Sequence, residues 1–189
     1  MVNLTEHWAT LVSIIIGLGI ADLLVNLHGL IHARRRVAWD GLPLAWAVVA
    51  LLWLFNYWWA VGAGLDGSGS ARVVGHYVLL AILPILLFLM SASVLPRSIP
   101  QAGRLDMQFE WSRSRDVFLG IFAINQVATW VVVVMARGAL VFDLAALVRT
   151  IALVFVVAAL RFRSRRFEWV AAIVVIVVAV TRLSTQEIR

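Results

Sequence analysis

The chain has 189 residues, of which 63% are hydrophobic and only 14% are charged. A soluble globular domain is about half apolar and about a quarter charged, so this composition excludes an ordinary soluble domain and favours a single membrane domain. The absence of cysteine excludes disulfides, iron–sulfur clusters, thiolate zinc sites and cysteine nucleophiles.

Six apolar stretches follow one another along the chain, and most are long enough to cross about 30 Å of hydrocarbon as helices. They predict an all-α integral membrane bundle with six transmembrane helices. The predicted spans are residues 8–31, 42–61, 73–95, 117–135, 142–160 and 167–183. The last span is the shortest.

All 16 basic side chains are arginine, and they lie mostly between the spans rather than along one soluble surface. This placement argues against nucleic-acid binding, which a net charge of +6 would otherwise suggest. Eleven arginines fall in the loops after spans one, three and five, and five fall on the other side. Because cytoplasmic loops are enriched in arginine, both termini are predicted to be external.

Small side chains recur every four residues in span one, a spacing that lets another helix approach closely. These predicted helix-packing residues are Ala9, Ser13, Gly17 and Ala21. Asp22 and Asn26 lie on the opposite side of the same helix. A carboxylate at this depth costs at least about 2.5 kcal/mol, so Asp22 indicates either an ion or proton site or a structural aspartate paired with arginine.

Span two carries Trp39, Trp46 and Trp53 at sevenfold spacing, nearly on one helix face. Trp46 and Trp53 lie deep, where an indole N–H needs a partner. They either pack against another helix or line an apolar ligand cavity.

The glycine- and serine-rich segment Gly62–Ser70 contains Gly62–Gly67, which has the form G-x-G-x-x-G. A dinucleotide site needs a preceding strand, whereas this segment follows a membrane helix, so we interpret it as an external connector. The longest loop, residues 99–115, predicts either a short helix at the lipid headgroups or a solvated loop.

Span four contains a polar patch of Asn125, Gln126 and Thr129, and span five contains Arg149. The patch either forms hydrogen bonds between helices or lines a solvated path with Asp22. Arg149 either extends to the interface or is the counter-ion of Asp22 or Asp143.

Histidines suggest a further class of site. His7 and His76 begin spans one and three on the same side, where two imidazoles can ligate a b-type haem. His28 and His32 are one helical turn apart near the other end, a spacing that can hold a metal ion. Histidines at helix ends are also common interfacial hydrogen-bonding groups, and no cofactor is required by the sequence.

Several segments together resemble a group of small bacterial inner-membrane proteins without an assigned activity. The resemblance rests on Ser13–Ile20, Trp46, Trp58–Ala60, Pro84–Leu89 and the arginine-rich loops, over about the first half of the chain. It implies a multi-pass protein of the bacterial plasma membrane and assigns no catalytic residue.

Three functions are consistent with these features. The first is movement of an ion or small solute along a path near Asp22, Asn26, Asn125 and Arg149 by an oligomeric bundle. The second is a non-catalytic membrane subunit or scaffold that docks a partner through span one, and the third is a haem-bearing electron-transfer protein. An enzyme is not expected, because Ser91 and Ser93 have no histidine near them along the chain.

Overall fold

A computed structural model describes residues 4–64, 74–98, 100, 103–137 and 143–184, without the side chains of 4–7, 61–64, 74–80 and 136–137. Helices dominate these residues, and two short strands interrupt them. The helices are α1 (Leu4–His32), α2 (Gly41–Gly64), α3 (Val74–Val94), α4 (Met107–Arg137), α5 (Leu144–Arg161) and α6 (Arg165–Ser184). The strands are β1 (Val37–Ala38) and β2 (Leu105–Asp106), and a 3₁₀ turn at Arg34–Arg36 precedes β1.

Helix α2 lies at the centre of the bundle and packs on α1, α3, α4 and α6. The remaining contacts join α3 to α4, α4 to α5 and α5 to α6, while α1 packs mainly on α2 and α3 from outside. Fully buried Trp46, Phe118 and Phe122 place the aromatic part of the core between α2 and α4, while Leu54 of α2 faces Gly19 of α1. Helix α1 lies at the edge of the bundle, as do α5 and α6, and each of the three packs mainly on two other helices.

The three arginine-rich connections meet at one end of the bundle, which we call the basic end. Strands β1 and β2 pair in parallel there, with Val37 opposite Leu105, so the α1–α2 and α3–α4 connections are joined. Asp40 and Asp106 accept hydrogen bonds from the first backbone N–H groups of α2 and α4. Such aspartates satisfy N–H groups that have no partner within the helix, and this explains why both helices begin where they do.

The structure confirms the all-α class, and five of the six helices are long and apolar enough to cross a membrane. In α3 the apolar stretch found among the described residues, Ala81–Val94, is shorter. Helix α6 is one of the five although its span was the shortest predicted. The connector predicted at Gly62–Ser70 lies largely outside the described residues, and α2 continues to Gly64.

Helix α4 differs most from the sequence prediction. It begins at Met107 rather than at Val117, so the second half of the predicted loop is neither a surface helix nor a solvated loop. Its first turns are continuous with the span because Asp106 caps them and Trp111 and Arg115 are buried. The polar composition of this segment made it look like a loop in the sequence. Charged side chains that form ion pairs inside a bundle are of the same residue types as the charges of a solvated loop.

Candidate functional site

Asp22 and Asn26 form one pair on α1. The Asn26 side-chain nitrogen donates a hydrogen bond to the Asp22 carboxylate at 3.0 Å, one helical turn away. Both side chains are half-buried at the edge of the face that packs on the bundle. Within the described part of the chain, Asp22 makes no other hydrogen bond or ion pair.

The polar patch on α4 joins neighbouring helices. Gln126 accepts a hydrogen bond at 3.0 Å from the indole nitrogen of Trp53 on α2, and both side chains are buried. The Asn125 side chain donates to the Leu83 carbonyl of α3 at 3.3 Å. Thr129 donates back to the Asn125 carbonyl within α4. Trp53 thus packs against another helix, the first of the two alternatives that the sequence left open.

Arg149 is 4% exposed, and its described contacts lie at the end of the bundle opposite the basic end. Its Nε donates to the Ala145 carbonyl at 3.0 Å, and a terminal nitrogen lies 3.9 Å from the Asp143 carboxylate. The guanidinium carbon lies 5.5 Å from the centre of the Trp130 ring, within cation–π distance. Of the two counter-ions considered from the sequence, Asp143 is the one that the structure places beside Arg149.

The six residues predicted to share a polar path therefore occupy three places. Asp22 and Asn26 are on α1, Asn125 and Gln126 bond to α3 and α2, and Arg149 lies beside Asp143. Thr129 is bonded within its own helix. Among the described residues, the Asn125 and Gln126 bonds join helices and the other described hydrogen bonds stay within one helix, so these groups do not form one chain of polar groups.

The predicted packing residues of α1 face outward. Ser13, Gly17 and Ala21 are exposed, Ala9 is half-buried, and a Cβ atom added at Gly17 would meet no described atom within 4 Å. The bundle instead contacts Val12, Ile16, Gly19, Leu23 and Leu30. Within the described part of the chain, no helix approaches these small residues closely.

A buried ion pair at the basic end was missed from the sequence. Arg115 and Glu168, 6% and 5% exposed, lie with Nε and Oε1 2.9 Å apart, a contact of opposite charges rather than an aligned hydrogen bond. Glu168 also accepts from the Trp111 indole at 3.0 Å, and Arg115 donates to the Ala159 carbonyl at 2.7 Å. The pair thereby ties α4 to both α5 and α6.

Aromatic side chains continue from this pair into the bundle between α2 and α4. Trp46 stacks on Trp111 with ring centres 6.3 Å apart and meets Phe118 edge-on at 5.6 Å. Phe122 meets Trp53 edge-on at 4.9 Å. The sequence contained a signal for this contact, because Trp111 and Phe118 repeat the sevenfold spacing of Trp46 and Trp53.

Outer ion pairs surround the buried one. Arg163 contacts Asp116 at 2.6 Å, and Arg165 contacts the buried Asp40 at 2.7 Å. A cleft of about 260 Å³ opens between these groups and is lined by Arg163, Arg165, Trp111 and Glu168 among others. The arginines that line the cleft are paired with carboxylates. The cleft is therefore better described as a network of ion pairs that joins the helix ends than as an anion-binding site.

The histidines fall into two groups. His28 and His32 are both exposed on α1, and their rings are 6.4 Å apart and 25° from parallel. The side chains of His7 and His76 lie outside the described residues, so the haem hypothesis stays a prediction. The described residues contain no group of three or more histidines and carboxylates that could hold a metal ion.

Comparison with protein-family models, with curated proteins and with solved structures finds no match for this chain. Functional inference therefore depends on the geometry alone.

Proposed function

We propose that this protein is a six-span, non-catalytic subunit of the bacterial plasma membrane that docks a transmembrane helix of a partner through α1. One observation carries the proposal: α1 is peripheral and exposes Ser13, Gly17 and Ala21 away from its own bundle. The partner is another membrane protein or a second copy of this chain. The surrounding bilayer covers the other helices.

Small residues on an outward face favour a helix rather than lipid as their neighbour. Helix association in a bilayer depends on close packing, since lipid tails are as apolar as leucine. Gly17 leaves open space where a second backbone can approach, and the large apolar side chains of Leu18, Leu24 and Val25 near it are all more than half exposed. We call this outward surface of small and apolar residues the α1 face.

The interior of the bundle supports a static role better than a transport role. The Trp53–Gln126 and Asn125–Leu83 hydrogen bonds and the Arg115–Glu168 pair each join two helices through buried groups. A solute path would have to break such bonds. Docking through the α1 face leaves all of them unchanged.

The placement of the arginines supports the orientation. The connections at the basic end and the helix ends that adjoin them contain eleven of the sixteen arginines, and the structure brings these connections together through the β1–β2 pairing and the Asp40–Arg165 contact. With the basic end in the cytoplasm, six crossings leave both termini outside.

A matched pair of glycine variants tests the docking. Gly17→Leu fills the α1 face, and Gly120→Leu places the same side chain on α4, where an added Cβ also meets nothing within 4 Å. After extraction from native membranes in lipid nanodiscs, we expect Gly17→Leu to shift the protein from a larger complex to the size of one chain. Gly120→Leu should leave the complex intact.

The mass of the lost component distinguishes a second copy from a different protein. A wild-type protein that already runs at the size of one chain, or a complex unaffected by Gly17→Leu, would contradict the proposal.

A further inference from the structure

His28 and His32 form an exposed pair at the end of α1 that the proposed function does not use. They are four residues apart, so both imidazoles lie on the same side of the helix, and their rings are nearly parallel at 6.4 Å. Both side chains are exposed. Within the described part of the chain no neighbouring helix covers these rings, and they lie in the last two turns of α1, next to the basic end.

Two imidazoles one turn apart have the spacing that metal-binding helices use, and the nearly parallel rings must rotate about their side-chain bonds for one nitrogen of each to reach the same ion. Neutral imidazole is a good ligand for Zn²⁺, Cu²⁺ and Ni²⁺, and histidines at i and i+4 on one helix can bind the same ion. Once one nitrogen is bound, the second is held close to the ion, which raises its effective concentration. We propose that His28 and His32 bind one divalent transition-metal ion, such as Zn²⁺, at the surface of the basic end.

The pair supplies two ligands, and the described residues offer no third histidine or carboxylate beside it. Water completes the tetrahedral or octahedral coordination. Structural zinc sites in proteins use four protein ligands, so the affinity of this two-ligand site is weaker than theirs. Because binding is weaker, the bound ion exchanges with solution.

The nearby arginines weaken the site without abolishing it. Arg34, Arg35 and Arg36 follow directly after the helix and are exposed. Each of these positive charges repels a bound cation, and the repulsion between exposed charges in water is reduced by salt. Chelation by two imidazoles opposes this effect because the second ligand is held close once the first has bound.

Metal titration of the full-length protein in nanodiscs, without an affinity tag of histidines, tests the proposal. We expect one Zn²⁺ per chain by isothermal titration, with Ni²⁺ competing for the same site. His28→Gln and His32→Gln should each weaken binding at least tenfold, whereas Arg34→Gln, which removes a nearby exposed positive charge, should not.

A second variant separates ligation from other effects of the imidazole. His32→Cys supplies a thiolate at the same position and should retain Zn²⁺ binding that His32→Gln loses. Unchanged size-exclusion profiles confirm that each variant is folded. Zn²⁺ binding that persists in both glutamine variants, or no binding by the wild type up to millimolar Zn²⁺, would overturn the proposal.

Discussion

The basic end of the bundle and helix α1 hold their charged side chains in opposite ways. At the basic end, Arg115 and Glu168 are almost fully buried and contact three helices through paired groups. On α1, Asp22 is half-buried and bonds to Asn26 of its own helix. The difference indicates that the basic end fastens the bundle, while α1 carries little of its internal bonding and presents a surface outward.

The largest effect is expected from removing one member of the buried ion pair. Arg115→Met leaves the Glu168 carboxylate buried without its counter-ion, which typically costs about 3–5 kcal/mol. We expect a matching decrease in the free energy of unfolding, measured by denaturant titration in detergent. Arg113→Met, an exposed arginine on the same helix, is the control and should change stability little.

The double variant Arg115→Met/Glu168→Leu then checks the cause. It removes both charges and should recover much of the lost stability. A double variant as unstable as the sum of the two single variants would mean that Arg115 acts through its other contacts.

A smaller effect is expected where α1 meets the bundle. A Cβ atom at Gly19 would lie 3.1 Å from the Ser91 hydroxyl and 3.3 Å from a Leu54 methyl group. Gly19→Leu should therefore lower the free energy of unfolding by about 1–3 kcal/mol through overpacking. Equal stability of Gly19→Leu and Gly17→Leu in the isolated chain would show that α1 is rotated relative to the structure.

The hydrogen bond between α2 and α4 contributes less to the free energy of unfolding. Gln126→Leu leaves the indole N–H of Trp53 without its acceptor, and hydrogen bonds between membrane helices contribute about 0.6–1.7 kcal/mol. We expect a loss in this range by the same titration. Gln126→Leu already removes this bond, so adding Trp53→Phe should not lower the free energy of unfolding further through it. Additive losses from the two substitutions would contradict the pairing.

The smallest effect is expected at Asp22. Asp22→Asn keeps an oxygen that can accept from Asn26, so the free energy of unfolding should change by no more than about 0.5 kcal/mol. Proton or cation flux into proteoliposomes should be absent in both proteins. Flux through the wild type that Asp22→Asn abolishes would establish the transport hypothesis instead of docking.

Much of the fold follows from hydrophobic length and from local caps. The helices could be predicted from their apolar stretches. Asp143 lies inside the predicted span five, but in the structure it precedes α5 and accepts a hydrogen bond from the Ala146 N–H, so the cap sets where that helix begins. The start of α4 could not be predicted, because Arg115 and Asp116 look like loop charges until Glu168 and Arg163 are placed beside them.

The candidate sites were predictable only where the spacing was local. Asp22 with Asn26 and His28 with His32 follow from the i and i+4 positions of one helix. The partners of Gln126 and Arg149 depend on how helices rotate against each other, which hydrophobic patterns do not define when nearly every side is apolar. The same uncertainty hid the fact that the small residues of α1 face away from the bundle.

Site-specific photo-crosslinking in native membranes tests the central claim most directly. A photoreactive residue at Ser13, Gly17 or Ala21 should yield one discrete protein adduct, of the same mass from all three positions. The same residue at Ile124, which is 57% exposed on α4, should yield only lipid adducts. Lipid adducts alone from all four positions would show that the α1 face borders the bilayer and would contradict docking through α1.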